Sequence, residues 1–544
     1  MSTGTDRSLV RSSTVMALGT IASRVTGFVK IAVLAFALGT ALLADAYNIA
    51  NVIPNTVYEL LLGGVLTSVV VPLLVRAGKR ETDGGVAYEQ RLFTLVTLLL
   101  FGFTVIAVAL AGPLISLYAR NFTGAQLDLA VTLARFFLPQ IFFYGVTAMA
   151  RATLNTRGHF AAPMWTPVLN NVVVIAMGCA FLAITSGDVS PQTITSAEVQ
   201  LLGIGTTLGI VVQTVALIPA LRKVGFRGRP RFDLAGLDYR HIGKVSGWIF
   251  AYVLINQVGF LIVSNLATAA GARAHPEVDY GAGYTPYNYA FLLFSLPYAI
   301  VAVSVITALL PRMSGHAEEG NFRLVRDDFS SGLRLTSVLI VPGAVALVAL
   351  GPQVAVLLFA HFRTSVLDAI YIGYVLGAFA VGLVGYSIFQ LTLRVFYALQ
   401  DTRTPAFIAL VRVAIMGALD VVFFLTLPAG WVVAGMALAY SVSYYAAAIM
   451  SGLVLRRRLG GLDGRRIADT LARLLGAAIP GGIFAYAIAL GLTQTFDMTM
   501  VTSLLSILLG ISVGGLLYVL VAVRLGVREV HTALDMIRSR VGVR

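Results

Sequence analysis

Cysteine is nearly absent: Cys179 is the only one in 544 residues, and it lies in an apolar run. A disulfide framework and a thiol-based enzyme therefore lack material. Histidine is scarce as well, and the six present show neither HExxH nor any paired metal-ligand spacing, so no metal or other cofactor is expected. The chain also has no G-x-x-x-x-G-K-[ST] sequence, which removes the usual P-loop route to ATP hydrolysis. Charge is the third shortage: 12% of residues are charged against 58% hydrophobic, and mean hydropathy is +0.87. That balance excludes an ordinary soluble domain and implies an integral membrane protein. The apolar run beginning near Thr14 outlasts a signal-peptide core, with no small-residue cleavage site after a short one, so it is expected to be the first transmembrane helix.

What the sequence has in abundance is long apolar runs. With roughly 17–25 apolar residues needed per spanning helix, fourteen spans are predicted, near 13–41, 43–75, 92–118, 127–155, 162–186, 200–221, 243–271, 283–315, 330–358, 366–397, 404–427, 430–455, 470–492 and 498–523. The fold expected is an all-α polytopic membrane protein. The net charge of +14 would suggest nucleic acid in a soluble domain. Here the cations fall in alternate loops, which the positive-inside rule explains without nucleic acid. Arg7 and Arg11, Lys79 and Arg80, Arg157, the run Arg222–Arg231, Arg323 and Arg326, Arg403, Arg456–Arg458 with Arg465 and Arg466, and the C-terminal tail form one set; the other holds only Arg120, Arg273 and Arg363. Both termini are accordingly expected in the cytoplasm and the span count even.

The chain also repeats itself. VTGF at 25–28, ADAYNIANVIP at 44–54, VLTSVVVP at 65–72 and RATLNTRGHFAAP at 151–163 are echoed by QVGF at 257–260, TPYNYAFLLFSLP at 285–297, VITALLP at 305–311 and RVFYALQDTRTP at 394–405. Landmarks shift by 232 (Gly27 to Gly259), 239 (Pro72 to Pro311) and 242 (Pro163 to Pro405). Two parallel six-helix pseudo-repeats plus two C-terminal helices are expected, with a pseudo-two-fold along the membrane normal and substrate between the halves. The boundaries read as 13–221 for the first half, 222–242 for a basic cytoplasmic linker, 243–455 for the second half, 470–523 for the added pair and 524–544 for a cytoplasmic tail. Pro54, Pro139, Pro163, Pro167, Pro297, Pro342 and Pro405 lie in or beside spans, where freed carbonyls permit bending.

Four ionisable residues sit inside the first two spans: Arg24, Lys30, Asp45 and Glu59. Facing lipid they would cost very roughly 10–14 kcal/mol together. Arg24 lies about eleven residues into its span, roughly 16 Å at 1.5 Å per residue, which is deep for snorkelling. Two readings follow. Either the four form internal salt bridges tying the first two helices together, or Arg24 and Lys30 make a site for an anionic group such as phosphate, with Asp45 holding Lys30 or orienting a cation. Asn48, Asn55, Tyr58 and Glu59 are candidate cavity-lining residues. Arg412 and Asp420, eight apart on the eleventh span, are a second polar pair, more readily structural than a second site.

The stretches SRVTGFVK (23–30), ALGTALLADAYNIANVIPN (37–55), LNTRGHFAAPMWTPVLNN (154–171) and LRVFYALQDTRTP (393–405) together resemble the bacterial MurJ (MviN) family. The likeness runs from about residue 13 to the fourteenth span. It implies a multidrug/oligosaccharidyl-lipid/polysaccharide (MOP) exporter fold and translocation of lipid II, the undecaprenyl-pyrophosphate peptidoglycan precursor, across the bacterial cytoplasmic membrane. Arg24, Lys30 and Asp45 match three positions of the family's cationic cavity, with Lys30 in place of the commoner arginine. Other positions depart: PNTVYE replaces the frequent PNLLRR, so that Tyr58 and Glu59 stand at a basic pair; Leu292 stands where an arginine is often found; and Ile31 replaces a frequent aspartate. The resemblance also implies that the last two spans help form a membrane-open groove for the polyprenyl tail, an assembly role being the alternative.

The expected function is potential-driven flipping by alternating access, without ATP and without bond cleavage, hence not enzymatic. The partners are lipid II and membrane lipids, with an unidentified coupling ion. Two alternatives stand beside it: another MOP-type transporter, for a polyprenyl-linked sugar or a drug, and a non-transporting scaffold for cell-wall synthesis proteins.

Overall fold

The computed structural model describes residues 3–60, 86–157, 159, 161–185, 189–226, 229–232, 239–275 and 277–530, with the side chains of 3–17, 21, 57–60, 239–246, 249, 303–304 and 307–308 left out. The second half of the second predicted span, Lys79 and Arg80, and most of the C-terminal tail lie outside the described residues. Among those described the chain is entirely helical. Hydrocarbon offers no partner to an open amide or carbonyl, so an apolar chain that must cross it closes every ladder within the segment.

The helices are α1 (Thr3–Leu38), α2 (Leu42–Leu60), α3 (Val86–Ala109), α4 (Ala111–Tyr118), α5 (Gly124–Phe137), α6 (Gln140–Thr156), α7 (Ala161–Ile184), α8 (Ser196–Val215), α9 (Ile218–Lys223) and α10 (Tyr239–Ala274), followed by α11 (Tyr284–Pro297), α12 (Val303–Glu318), α13 (Phe322–Phe359), α14 (Val366–Val381), α15 (Leu383–Ala398), α16 (Arg403–Thr426), α17 (Val432–Arg458), α18 (Gly464–Phe496) and α19 (Met500–Arg524). Among the described residues eleven stretches are long and apolar enough to cross a membrane, or twelve if the bent pair α14–α15 is one span. The chain is a multi-pass membrane protein. The eighth predicted span is interrupted by a π-helical turn at Tyr298–Ala302, just after Pro297, and the fourth is broken at Leu138–Pro139 between α5 and α6. Prolines lie at both breaks, as expected of residues that forfeit a ladder bond.

The helices group into two compact units, residues 1–257 and 258–544, the boundary falling inside α10. In the first, α1 lies along α7, and α2 packs on α5 and α6. Polar side chains tie these helices where the interior is dry. The Asn171 amide donates to Ser23 O at 3.1 Å and Thr26 Oγ1 at 3.0 Å, Tyr47 OH meets Thr206 Oγ1 at 2.7 Å, and Thr147 meets Thr214 at 2.8 Å. Each satisfies groups that would otherwise be stranded in an apolar medium. In the second unit α13 is the central strut, contacting α12, α14, α15, α18 and α19. Small residues set the spacing: a Cβ on Gly373 would lie 2.3 Å from Pro352 Cα, and one on Gly481 2.5 Å from Gly514 O. The ring cluster Phe291, Phe294, Phe379, Tyr386, Tyr440 and Tyr444 fills the space between α11, α14, α15 and α17.

Candidate anion site and apolar groove

α1 is continuous from Thr3 to Leu38, so helix geometry alone separates its two cations. Six residues at 100° each leave Arg24 and Lys30 about 120° apart around the axis and about 9 Å apart along it. Gly19 and Gly27 mark the face toward α7, where a Cβ would meet Trp165 and Asn171. Lys30, eleven residues beyond Gly19, returns to within about 20° of that face, and it is half-buried. Arg24 points away from it and is exposed. The two cations thus stand on different faces rather than side by side, and only their long side chains can bring them to one ligand.

Among the described residues neither Arg24 nor Lys30 forms an ion pair. Of the other two members of the four-charge network considered above, Glu59 has its side chain outside the described residues, as does Tyr58. Asp45 is buried in the first turn of α2 at 3% exposure, where a carboxylate complements the helix N-terminus. Asn48 is half-buried on the same helix. Asn55 is a tie rather than a free lining group: it accepts from Tyr144 OH at 2.9 Å and donates to Asn51 O at 2.8 Å. Leu292 and Ile31 are half-buried and bring no charge.

The second pair is corrected by the structure. Arg412 and Asp420 are both buried on α16, yet both Asp420 oxygens lack a hydrogen-bond partner, while the Arg412 guanidinium lies over the Tyr444 ring, 4.7 Å from its centroid. Eight residues are about 12 Å of rise, and helical side chains lean toward the N-terminus, which carries Arg412 away from Asp420. Asp420, fully buried in the second unit, is left without a hydrogen-bond partner among the described residues.

The resemblance implied a groove along the last two spans, but sequence reasoning missed the walls that other helices supply. An apolar groove of ≈ 570 Å³ runs between α13, α14, α15, α17 and α18, lined by Val345, Val381, Val384, Tyr445, Gly482 and Tyr486 among others. α18, the thirteenth predicted span, supplies one wall. Gly482 makes the close approach possible, for a Cβ there would lie 2.3 Å from Val345 Cγ1. Besides the family resemblance, the sequence signal was the glycine-rich run GAAIPGGIFAYAIALG at 476–491. The volume is in the range of small-molecule pockets, about 300–1,000 Å³, and the lining suits a hydrocarbon chain.

Comparison with known proteins gives a consistent result. The family model described as lipid II flippase MurJ matches residues 34–509. A lipid II flippase MurJ of Burkholderia cenocepacia is 29% identical over 404 residues, covering 72% of this chain and 73% of that protein. A probable lipid II flippase MurJ of Rhizobium meliloti is 28% identical over 495 residues, covering 88% and 86%. Among solved structures, a lipid II flippase MurJ in an inward closed conformation superposes with TM-score 0.73 at 21% identity, covering 93% of this chain and 97% of that one. An inward-facing multidrug resistance MATE family transporter of the MOP superfamily superposes with TM-score 0.63 at 16% identity, covering 81% and 96%. The structural likenesses establish a shared fold. With the family model matched over most of its length, this chain belongs to the lipid II flippase MurJ family.

Proposed function

We propose that this protein moves lipid II from the inner to the outer leaflet of the bacterial cytoplasmic membrane by alternating access. The observation that carries this is the family match over residues 34–509. The head group enters a cavity open to the cytoplasm, its pyrophosphate meeting Arg24 and Lys30, and the polyprenyl tail stays in the hydrocarbon along the groove walled by α13 and α18. Two cations without acidic partners among the described residues support the first contact, because a diphosphate gains charge-assisted hydrogen bonds from them without first breaking a salt bridge. The apolar lining of the groove supports the second.

The arrangement we favour has fourteen spans, as two parallel six-helix halves and a C-terminal pair, with both termini cytoplasmic. No bond is broken in this cycle. An inside-negative potential drives the anion outward with about 2.3 kcal/mol per charge per 100 mV if the full field is crossed. Asp420, a buried carboxylate without a donor, is the position we favour for a coupling cation. Contacts with cell-wall synthesis proteins are a further part of this reading.

The test is reconstitution in vesicles with labelled lipid II and a potential imposed or removed. Flipping that follows the potential supports the reading. A purified protein that moves no lipid II under either condition overturns it.

A further inference from the structure

The predicted span 366–397 contains no proline, yet it is bent by 49° between α14 and α15. A helix in hydrocarbon closes its own ladder unless something else takes the freed groups, so a break without proline is held open from outside. The holder is α17. Ser441 Oγ lies 2.8 Å from Ala378 O and 3.1 Å from Phe379 O, and the Tyr445 hydroxyl donates to Val381 O at 2.8 Å and also meets the Gly385 backbone. Val381 O and the Gly385 amide are i,i+4 partners in an unbroken helix. The phenol therefore stands in the ladder where one direct bond would be. The fit requires glycine on the bent span: a Cβ on Gly382 would lie 2.5 Å from Ser441 Cα, and one on Gly385 2.9 Å from Tyr445 Cδ1.

Val381, Val384 and Tyr445 are at the same time walls of the apolar groove. We propose that the break is a hinge governed by that groove. A lipid chain lying against these three side chains displaces the Tyr445 hydroxyl, Val381 O recovers the Gly385 amide, and the span straightens. Two neutral hydrogen bonds through the phenol are exchanged for one direct ladder bond, a net difference of one neutral bond that contact with the lipid chain offsets, so the two arrangements lie close in free energy, as a hinge requires. Tyr445 is thus a positioning residue, acting on movement through the helix and not through the head group. The inference rests on the reading that a polyprenyl chain occupies the groove.

Spin labels at the exposed positions Leu367 and Gln400 test it in lipid nanodiscs, with undecaprenyl phosphate as the probe. Arms of roughly 22 and 27 Å on either side of Gly382 give a distance about 4 Å longer when straight than when bent. In the unsubstituted background the probe is expected to lengthen the distance by that amount. Tyr445→Phe, which keeps the ring and loses the hydroxyl, should show the longer distance without the probe, and Ser441→Ala should do the same if Tyr445→Phe does not accumulate. A photoreactive undecaprenyl phosphate reports occupancy separately by labelling α18. Labelling without any change of distance overturns the hinge and leaves the groove reading standing, whereas absence of labelling overturns both. A variant that stays bent without the probe also overturns the hinge.

Discussion

Arg24→Ala is the substitution on which the proposed chemistry depends most directly. Arg24 is exposed and has no ion-pair partner among the described residues, so its removal strands no buried acid among them, and the cost to folding is expected within about 0.5 kcal/mol. If the guanidinium holds the pyrophosphate, the loss is one set of hydrogen bonds to a charged group, about 1.5–3 kcal/mol. At 1.36 kcal/mol per factor of ten, the flipping rate at limiting substrate should fall by about 10- to 150-fold. Arg24→Lys keeps the charge without the bidentate fork and should fall between the two. Lys30→Ala should couple with Arg24→Ala: two side chains gripping one diphosphate give a double variant that departs from additivity, despite Cα atoms about 10 Å apart. The assay is lipid II flipping in vesicles at matched protein density, with the thermal unfolding midpoint in detergent measured alongside. A normal rate in Arg24→Ala would refute the reasoning. So would a drop in midpoint equivalent to more than about 2 kcal/mol, since it would mean that Arg24 is a structural ion-pair member.

Three other outcomes follow from the packing. Gly373→Ala drives a Cβ to 2.3 Å from backbone atoms of Pro352, whereas at Gly377 the nearest atom is 3.9 Å away; the first should destabilise at the upper end of about 1–3 kcal/mol and Gly377→Ala should not, as read by unfolding midpoints. Arg334, on α13, is 8% exposed and pairs with Glu529, so Arg334→Met should cost near the low end of about 3–5 kcal/mol, because Glu529 is half-buried; adding Glu529→Met should recover most of it in a double-mutant cycle. In the loop after α15, partial burial pushes the Asp401 carboxyl up, but the Thr404 donors and Arg458, 2.5 Å away, outweigh it and hold it below the ordinary carboxylate value. A folded value below the unfolded one means stability that is present above about pH 4 and lost as pH falls through the depressed value. Asp401→Asn should therefore be less stable at pH 7, with the difference shrinking toward pH 3; a constant difference would contradict the assignment.

How far the sequence could be read depended on whether the cause was local. Pro297 and Pro139 announce the π-helical turn and the α5–α6 break, because a residue without an amide cannot complete its ladder wherever it lies. Gly382 announces nothing: glycine is ordinary in a membrane helix, and the bend there comes from Ser441 and Tyr445, about sixty residues away in sequence. The same division holds at the anion site. Arg24 and Lys30 were legible as costly charges in an apolar run, but their placement on different faces followed only once α1 was continuous and its α7-facing side known. Arg412 and Asp420 looked like a pair from spacing alone, yet the Tyr444 ring on α17 takes the guanidinium.

By itself, then, the sequence determined that this chain crosses the membrane many times as helices, since hydropathy and the need to satisfy each backbone group are properties of a segment and its solvent. It also determined which charges are too costly to face lipid. The tertiary structure decided that Arg412 meets the Tyr444 ring, where the tenth predicted span bends and where the groove opens, because each of these depends on which side chain of a distant helix reaches a given carbonyl, ring or gap.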